Sequence, residues 1–194
     1  MKRTFAASLA AAALLLASVA LAEKPDAASI ELGLNVADFC KKHLGQQVGT
    51  GQCGELADHA LREFNVHGRP PDSPAEGDYV WGDLALLVEA NPKARPDGKT
   101  PAPPKYTGGK LADLRPGDII QFRDCTWAGR LSPRMRYRAA RPHHTAVIAA
   151  VDPAGQSVDV YEQNYNGKLT VVYSKIKISD LTAGWMRVYH PIAK

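Results

Sequence analysis

The stretch Val48-Gly-Thr-Gly-Gln-Cys-Gly-Glu-Leu-Ala-Asp-His-Ala-Leu61 decides how the chain is read. Its first half continues the glycine-rich run Gly45 to Gly51, which no helix tolerates well. Its second half repeats at helical spacing. Cys53, Leu56, Ala57, Ala60, Leu61 and Phe64 fall on one face, so a helix is expected from Gln52 or Cys53 to about Phe64. Cys53 therefore sits in the first turn of a helix that follows a tight turn. Unpaired N–H groups and the helix dipole favour an anion there, and so favour thiolate over thiol. The same N–H groups can hold the oxyanion of a tetrahedral intermediate, with Gln52 and Gly54 beside the sulfur. Taken alone, the position suits a buried structural thiol better than a nucleophile.

Upstream, Asn35 is a candidate cap for a helix over Val36 to Leu44, where Val36, Phe39, Cys40 and His43 form a stripe. Residues 23–35 read as a flexible leader before a single domain over 36–194. The first 22 residues have the three-part form of a Sec-type bacterial signal peptide. Lys2 and Arg3 start it, Phe5 to Leu21 is uncharged and apolar, and Ala20-Leu21-Ala22 offers small residues for cleavage. That reading implies a periplasmic or secreted protein with no stable membrane insertion after cleavage. The formal charge of +4 falls to +2 without Lys2 and Arg3, too little to argue for nucleic acid.

An oxidising compartment makes the three cysteines informative. Cys40, Cys53 and Cys125 are an odd number, so at least one stays unpaired within the chain. A Cys40–Cys53 pair would silence Cys53. A possible Cys40–Cys125 disulfide would leave it free.

Downstream, 65–80 and 91–110 are rich in Pro, Gly and Asp and read as loops, and Leu84 to Val88 between them is a short buried helix or strand. Past residue 110 the period changes to two. Asp118 to Phe122, His144 to Val151, Ser157 to Gln163, Leu169 to Tyr173 and Trp185 to Tyr189 are strand-like. Helices first and strands afterwards point to an α+β fold on an antiparallel sheet. The segment Arg123 to Arg141, with six arginines, reads as a long solvated connection that could also take carboxylates or phosphates.

A thiol nucleophile needs a base. Of six histidines, His143 and His144 open an expected core strand. His144 begins the strand proper and would share a face with Ala146 and Ile148, while His143 would face the other way. The next strand supplies Glu162 and Asn164 on one face. Glu162 can orient the imidazole and Asn164 can support it or polarise a substrate. No Cys-x-x-Cys or His-x-x-x-His spacing suggests a metal, and no cofactor is implied.

Together, Val48 to Leu61, Leu114-Arg-Pro-Gly-Asp-Ile-Ile-Gln-Phe122, His144-Thr-Ala-Val-Ile148 and Val160-Tyr-Glu-Gln-Asn-Tyr-Asn-Gly167 resemble, in order, four segments of the CHAP amidase/peptidase family, related to the NlpC/P60 cysteine peptidases. The resemblance implies a papain-like NlpC/P60/CHAP fold, with N-terminal helices packed on a small antiparallel sheet. It implies Cys53 as nucleophile, His144 as base, Glu162 as orienting residue and Asn164 in support. The implied substrates are peptidoglycan stem peptides or small peptides and amides. The doubled histidine departs from the family pattern, so His143 is a second candidate for the base or for substrate contact. The rival expectation is a catalytically inactive module of the same fold that binds cell-wall peptides or a protein partner. Oligomeric state is not legible.

Overall fold

The computed structural model describes residues 27–66, 78–91, 93, 102–132 and 134–193. Residues 1–22, which carry the export reading, lie outside them, as do 23–26.

Helix α1, Ala27–Lys42, starts well upstream of Val36. Its buried stripe explains the earlier start: Ser29, Leu32, Gly33, Val36 and Cys40 recur every three to four residues. Residues 27–35 are therefore a packed helix and not a flexible leader. The contact that holds this end is built from two glycines. Gly117 turns with φ +88°, and a Cβ there would overlap the carbonyl of Gly33. A Cβ on Gly33 would in turn lie 3.2 Å from the Pro116 carbonyl oxygen. The Arg115-Pro116-Gly117 turn and α1 approach backbone to backbone because neither carries a side chain at the contact.

Helix α2, Cys53–Arg62, begins where the glycine run predicts and buries Gly54, Leu56, Ala57, Ala60 and Leu61. The two alanines bring its axis close to the sheet. Each leucine contributes about 1.5–3 kcal/mol of burial. The helix stops short of Phe64. Asn65 takes a left-handed φ of 57°, and the Val66 N–H turns back to the Leu61 carbonyl at 3.0 Å.

Among the described residues seven strands form one sheet: β1 Asp83–Glu89, β2 Lys105–Thr107, β3 Ile119–Ser132, β4 Met135–Asp152, β5 Ser157–Glu162, β6 Val172–Lys177 and β7 Leu181–His190. Their order is β2-β1-β7-β3-β4-β5-β6, with every neighbouring pair antiparallel. The ambiguous Leu84–Val88 segment is thus a strand. The strand expected over Leu169 to Tyr173 instead begins at Val172.

The expected connection over 123–141 is the largest difference in the fold. It forms the outer half of a continuous β3–β4 hairpin, with Cys125 opposite Arg141, Trp127 opposite Ala139 and Arg130 opposite Arg136. Its period of two is in the sequence. Cys125, Trp127 and Arg141 are buried, whereas Ala128, Arg130, Arg136, Arg138 and Ala140 are exposed. Arginines on the outward face hide the pattern from a reading that takes charge density as a loop signal.

Two cores result. On one face of the sheet, Phe122, Cys125, Trp127, Ala146, Ile148, Val158, Val160 and Met186 pack together. On the other, α1 and α2 close over Ile119, Val147, Tyr161, Val171 and Tyr189. The β4–β5 ladder runs from Asp152–Ser157 to Val147–Tyr161. His144 lies beyond the last pair of that ladder.

Candidate active site

Cys53 is the first residue of α2 and is partly exposed. The glycine run delivers it there because Gly49 and Gly51 turn with φ +58° and +88°. A Cβ on Gly51 would lie 2.9 Å from Leu169 Cβ, so the turn also packs tightly on the loop after β5. Glu55, in the first turn, ties the turn to the helix. One carboxylate oxygen accepts the Thr50 N–H at 2.6 Å, the Thr50 hydroxyl at 2.7 Å and the Gln52 N–H at 3.3 Å.

His144 is the side chain that acts on the Cys53 thiol, by hydrogen bonding and by charge, to favour the thiolate. Its position on β4 shares a face with Ala146 and Ile148, as alternation predicts. Its Nε2–H donates to Glu162 Oε2 at 2.9 Å. With Nε2 committed to the carboxylate, Nδ1 is the nitrogen left for sulfur. His144 is 5% exposed and Glu162 fully buried, so the dyad is held out of bulk water.

The charges are set by opposing effects. Burial pushes the Cys53 thiol up. The hydrogen bond and charge of His144, with backbone bonds from Thr145 and Gly54, outweigh it, and the thiol ends below its ordinary value. For His144, burial disfavours the cation, but bonds to Cys53 and Glu162 win and raise the imidazole. Burial likewise opposes ionisation of Glu162, yet His144 and Arg141 bring it down to about 2. All three shifts favour a thiolate beside an imidazolium, braced by a carboxylate.

Several partners of this site were not expected from the sequence. Arg141 forms a two-pronged pair with Glu162, Nε to Oε2 at 2.8 Å and an Nη to Oε1 at 2.6 Å. The Ser174 hydroxyl of β6 also donates to Oε1. Gln163 is fully buried on the helix side. Its Nε2 donates to the Val48 carbonyl at 3.0 Å and the Gln52 carbonyl at 2.7 Å, and its Oε1 accepts the Val48 N–H at 3.2 Å. It staples the glycine run to the end of β5. Gln121 takes the Thr145 hydroxyl at 3.0 Å and the Trp81 indole N–H at 3.4 Å, fixing β4 beside the sulfur. Gln163 was findable: it is a polar residue at a position where alternation demands burial. Arg141 was not, because the segment around it reads as a loop.

Asn164 does not share a face with Glu162. The strand ends at Glu162, and Asn164 turns away at φ 56°. Its Nδ2 donates to Gln52 Oε1 at 3.0 Å, so it supports the residue before the nucleophile rather than the imidazole. His143 lies on the other side of β4, exposed, opposite Arg123 and with its ring 6.4 Å from Tyr79. Of the two arrangements that leave Cys53 free, a Cys40–Cys125 disulfide or none, the structure has none. All three cysteines are free thiols, and Cys40 and Cys125 belong to cores on opposite faces of the sheet. Burial raises both, Cys125 to about 12.

The family model described as the AIM3/BBC1 cysteine proteinase-fold domain matches residues 22–194. A relative, Altered inheritance of mitochondria protein 3 of the yeast Debaryomyces hansenii, is 28% identical over 160 residues, which make up 82% of this chain and 16% of that protein. The chain thus spans about a sixth of the length of this curated relative. No solved structure matches the chain. These findings bear out an α+β, cysteine proteinase-like fold and correct the expectations of origin and role. The matching family is not CHAP, and the relative is a yeast protein. An exported bacterial peptidoglycan hydrolase, its signal peptide, periplasmic or secreted location and cell-wall substrate, and an inactive cell-wall-binding form of it are all set aside.

Proposed function

Because the chain belongs to the AIM3/BBC1 cysteine proteinase-fold domain family, we propose that it is a cysteine hydrolase acting on acyl carbonyls of amide or peptide type, with Cys53 as nucleophile. The observation that carries this reading is the unbroken chain from the Cys53 thiol through His144 to Glu162, at the start of a helix. A merely structural thiol needs neither a buried histidine nor a carboxylate brought down to about 2.

The chemistry runs as two half-reactions. Cys53 rests as thiolate with His144 as imidazolium. The sulfur attacks the carbonyl carbon, and the carbonyl pair moves onto oxygen. The Cys53 backbone N–H has no intrahelical acceptor and is one oxyanion donor. The Gln52 amide is the other, since Asn164 engages its Oε1 and leaves its NH2 group to donate. His144 gives its Nδ1 proton to the leaving nitrogen as the C–N bond breaks, leaving a thioester on Cys53. Neutral His144 then takes a proton from water, the resulting hydroxide attacks the thioester, and the acid leaves as thiolate and imidazolium are restored. Glu162 keeps the ring in the orientation that presents Nδ1 to sulfur throughout.

The test uses the 194-residue chain with p-nitrophenyl acetate and a mixed peptide library. The expected result is a transient acetyl adduct on Cys53, turnover of the ester, and library cleavage that disappears in Cys53→Ala. An adduct found elsewhere, or turnover and cleavage that persist in Cys53→Ala, would sink the reading.

A further inference from the structure

Arg141 is a strange residue to bury. It is 3% exposed, in the core opposite the helices. Its guanidinium lies 4.2 Å from the Tyr165 ring centroid, 5.4 Å from that of Trp127 and 5.7 Å from that of Phe122. Two of its nitrogens take the two oxygens of Glu162, and one of them also reaches the Ser174 hydroxyl at 3.3 Å. Each Glu162 oxygen thus has two partners: Arg141 and His144 on Oε2, Arg141 and Ser174 on Oε1. A fork meeting a carboxylate edge-on fixes both its position and its plane. Tyr165 covers the loop side of the same group and lies 6.1 Å from the His144 ring. The charged and titratable groups that face the dyad are therefore Arg141 on β4, Cys53 on α2 and Tyr165 on the loop after β5, with the neutral Cys125 thiol of β3 beyond the guanidinium.

We infer that Arg141 is a positioning residue for the Cys53 reaction: it acts through Glu162, holding that carboxylate ionised and in the one orientation that accepts from His144 Nε2. The inference rests on the hydrolase reading above and deepens it. Arg141 touches neither the sulfur nor the acyl group, and its effect reaches the thiol only by way of the carboxylate and the ring. Without the guanidinium, Glu162 is a buried carboxylate with one cationic neighbour, and it takes up a proton at a higher pH, by about 1–3 units. Once protonated, it no longer favours the imidazolium, and the thiolate is lost with it.

The test follows the rate of Cys53 alkylation by iodoacetamide against pH, on the full chain with Cys40→Ser and Cys125→Ser in the background. Wild-type Cys53 should stay reactive well below the pH of an ordinary thiol. Arg141→Met should move the acid limb of that profile upward by about one unit or more. In a Glu162→Gln background, adding Arg141→Met should give no further shift, because the group through which Arg141 acts is already gone. That pair of variants carries no unpaired buried carboxylate, so it serves even if Arg141→Met alone does not fold. An unshifted Arg141→Met profile, or an equal shift with and without Glu162, overturns the assignment while leaving the hydrolase reading in place. A wild-type Cys53 with the profile of an ordinary thiol sinks the hydrolase reading itself.

Discussion

Replacing Gln163 by methionine tests whether the nucleophile is placed by a staple rather than by its own helix. Methionine fills the same volume without donors or acceptors, so little packing changes. Three hydrogen bonds disappear, at 3.2, 3.0 and 2.7 Å. They are not equal. Val48 is 5% exposed, and its N–H is left without a partner in the helix-side core, while its carbonyl keeps the Gly51 N–H at 3.1 Å. Each orphaned buried group costs about 1–3 kcal/mol. Gln52 is exposed, and its carbonyl recovers water at little cost. The expected destabilisation is therefore about 2 kcal/mol, with the orphaned Val48 N–H supplying most of it. In urea unfolding, with a slope of about 1–3 kcal/mol/M, the midpoint falls by roughly 0.7–2 M. The second readout is functional. With Val48 to Gln52 loosened, Cys53 alkylation near neutral pH slows, because the sulfur is no longer held against His144. A stability loss under about 1 kcal/mol together with an unchanged alkylation profile would refute the staple.

Other outcomes follow from the same geometry. Glu162 sits at about 2 in the folded protein against an ordinary 4.5, so its ionisation contributes about 3 kcal/mol at neutral pH. A lowered carboxyl stabilises above its unfolded value, so unfolding free energy should fall as pH drops from about 4.5 toward 2, and Glu162→Gln should flatten that slope. Gly51→Ala combines a φ of +88° with a contact of 2.9 Å to Leu169 Cβ, and should cost about 2 kcal/mol in thermal unfolding. Trimming Leu169 to alanine in that variant should recover nothing, since alanine keeps both the Cβ and the carbonyl that make the contact. His143→Ala should leave the pH profile of Cys53 alkylation where it is, whereas His144→Ala should return the thiol to ordinary behaviour.

What the sequence made legible was local. The glycine run followed by apolar residues at helical spacing placed Cys53 in a first turn, and alternation assigned His144 and His143 to opposite faces of β4. Glu162 was reachable because β5 follows β4 through a short turn. The rule that residues two apart share a face misled at Asn164, since the strand stops at Glu162 and a left-handed residue follows. The hairpin arm escaped for a different reason. Its two arms pair with each other, but the arginines on their outward face disguise the alternation as a charged connection. Arg141 illustrates the same limit: a buried arginine is recognisable only by the carboxylate it meets, and that carboxylate arrives from another strand. The pairing of Cys40 with Cys125 failed on topology, because a sheet lies between them. The origin of the chain was misread because an apolar leader and a Cys-His-Glu order are shared by proteins of unrelated settings.

The β3–β4 hairpin also divides the chain between the halves of its chemistry. Cys53 precedes the turn between Ser132 and Met135, and His144 and Glu162 follow it. A cut at that exposed turn produces one piece with the sulfur and another with the imidazole and its carboxylate. The pieces share the β3–β4 and β3–β7 ladders, so reassembly runs along pre-set edges. Neither piece alone can activate the thiol. The protein thereby contains the layout of a split reporter, in which covalent labelling of one cysteine records that two fragments have met.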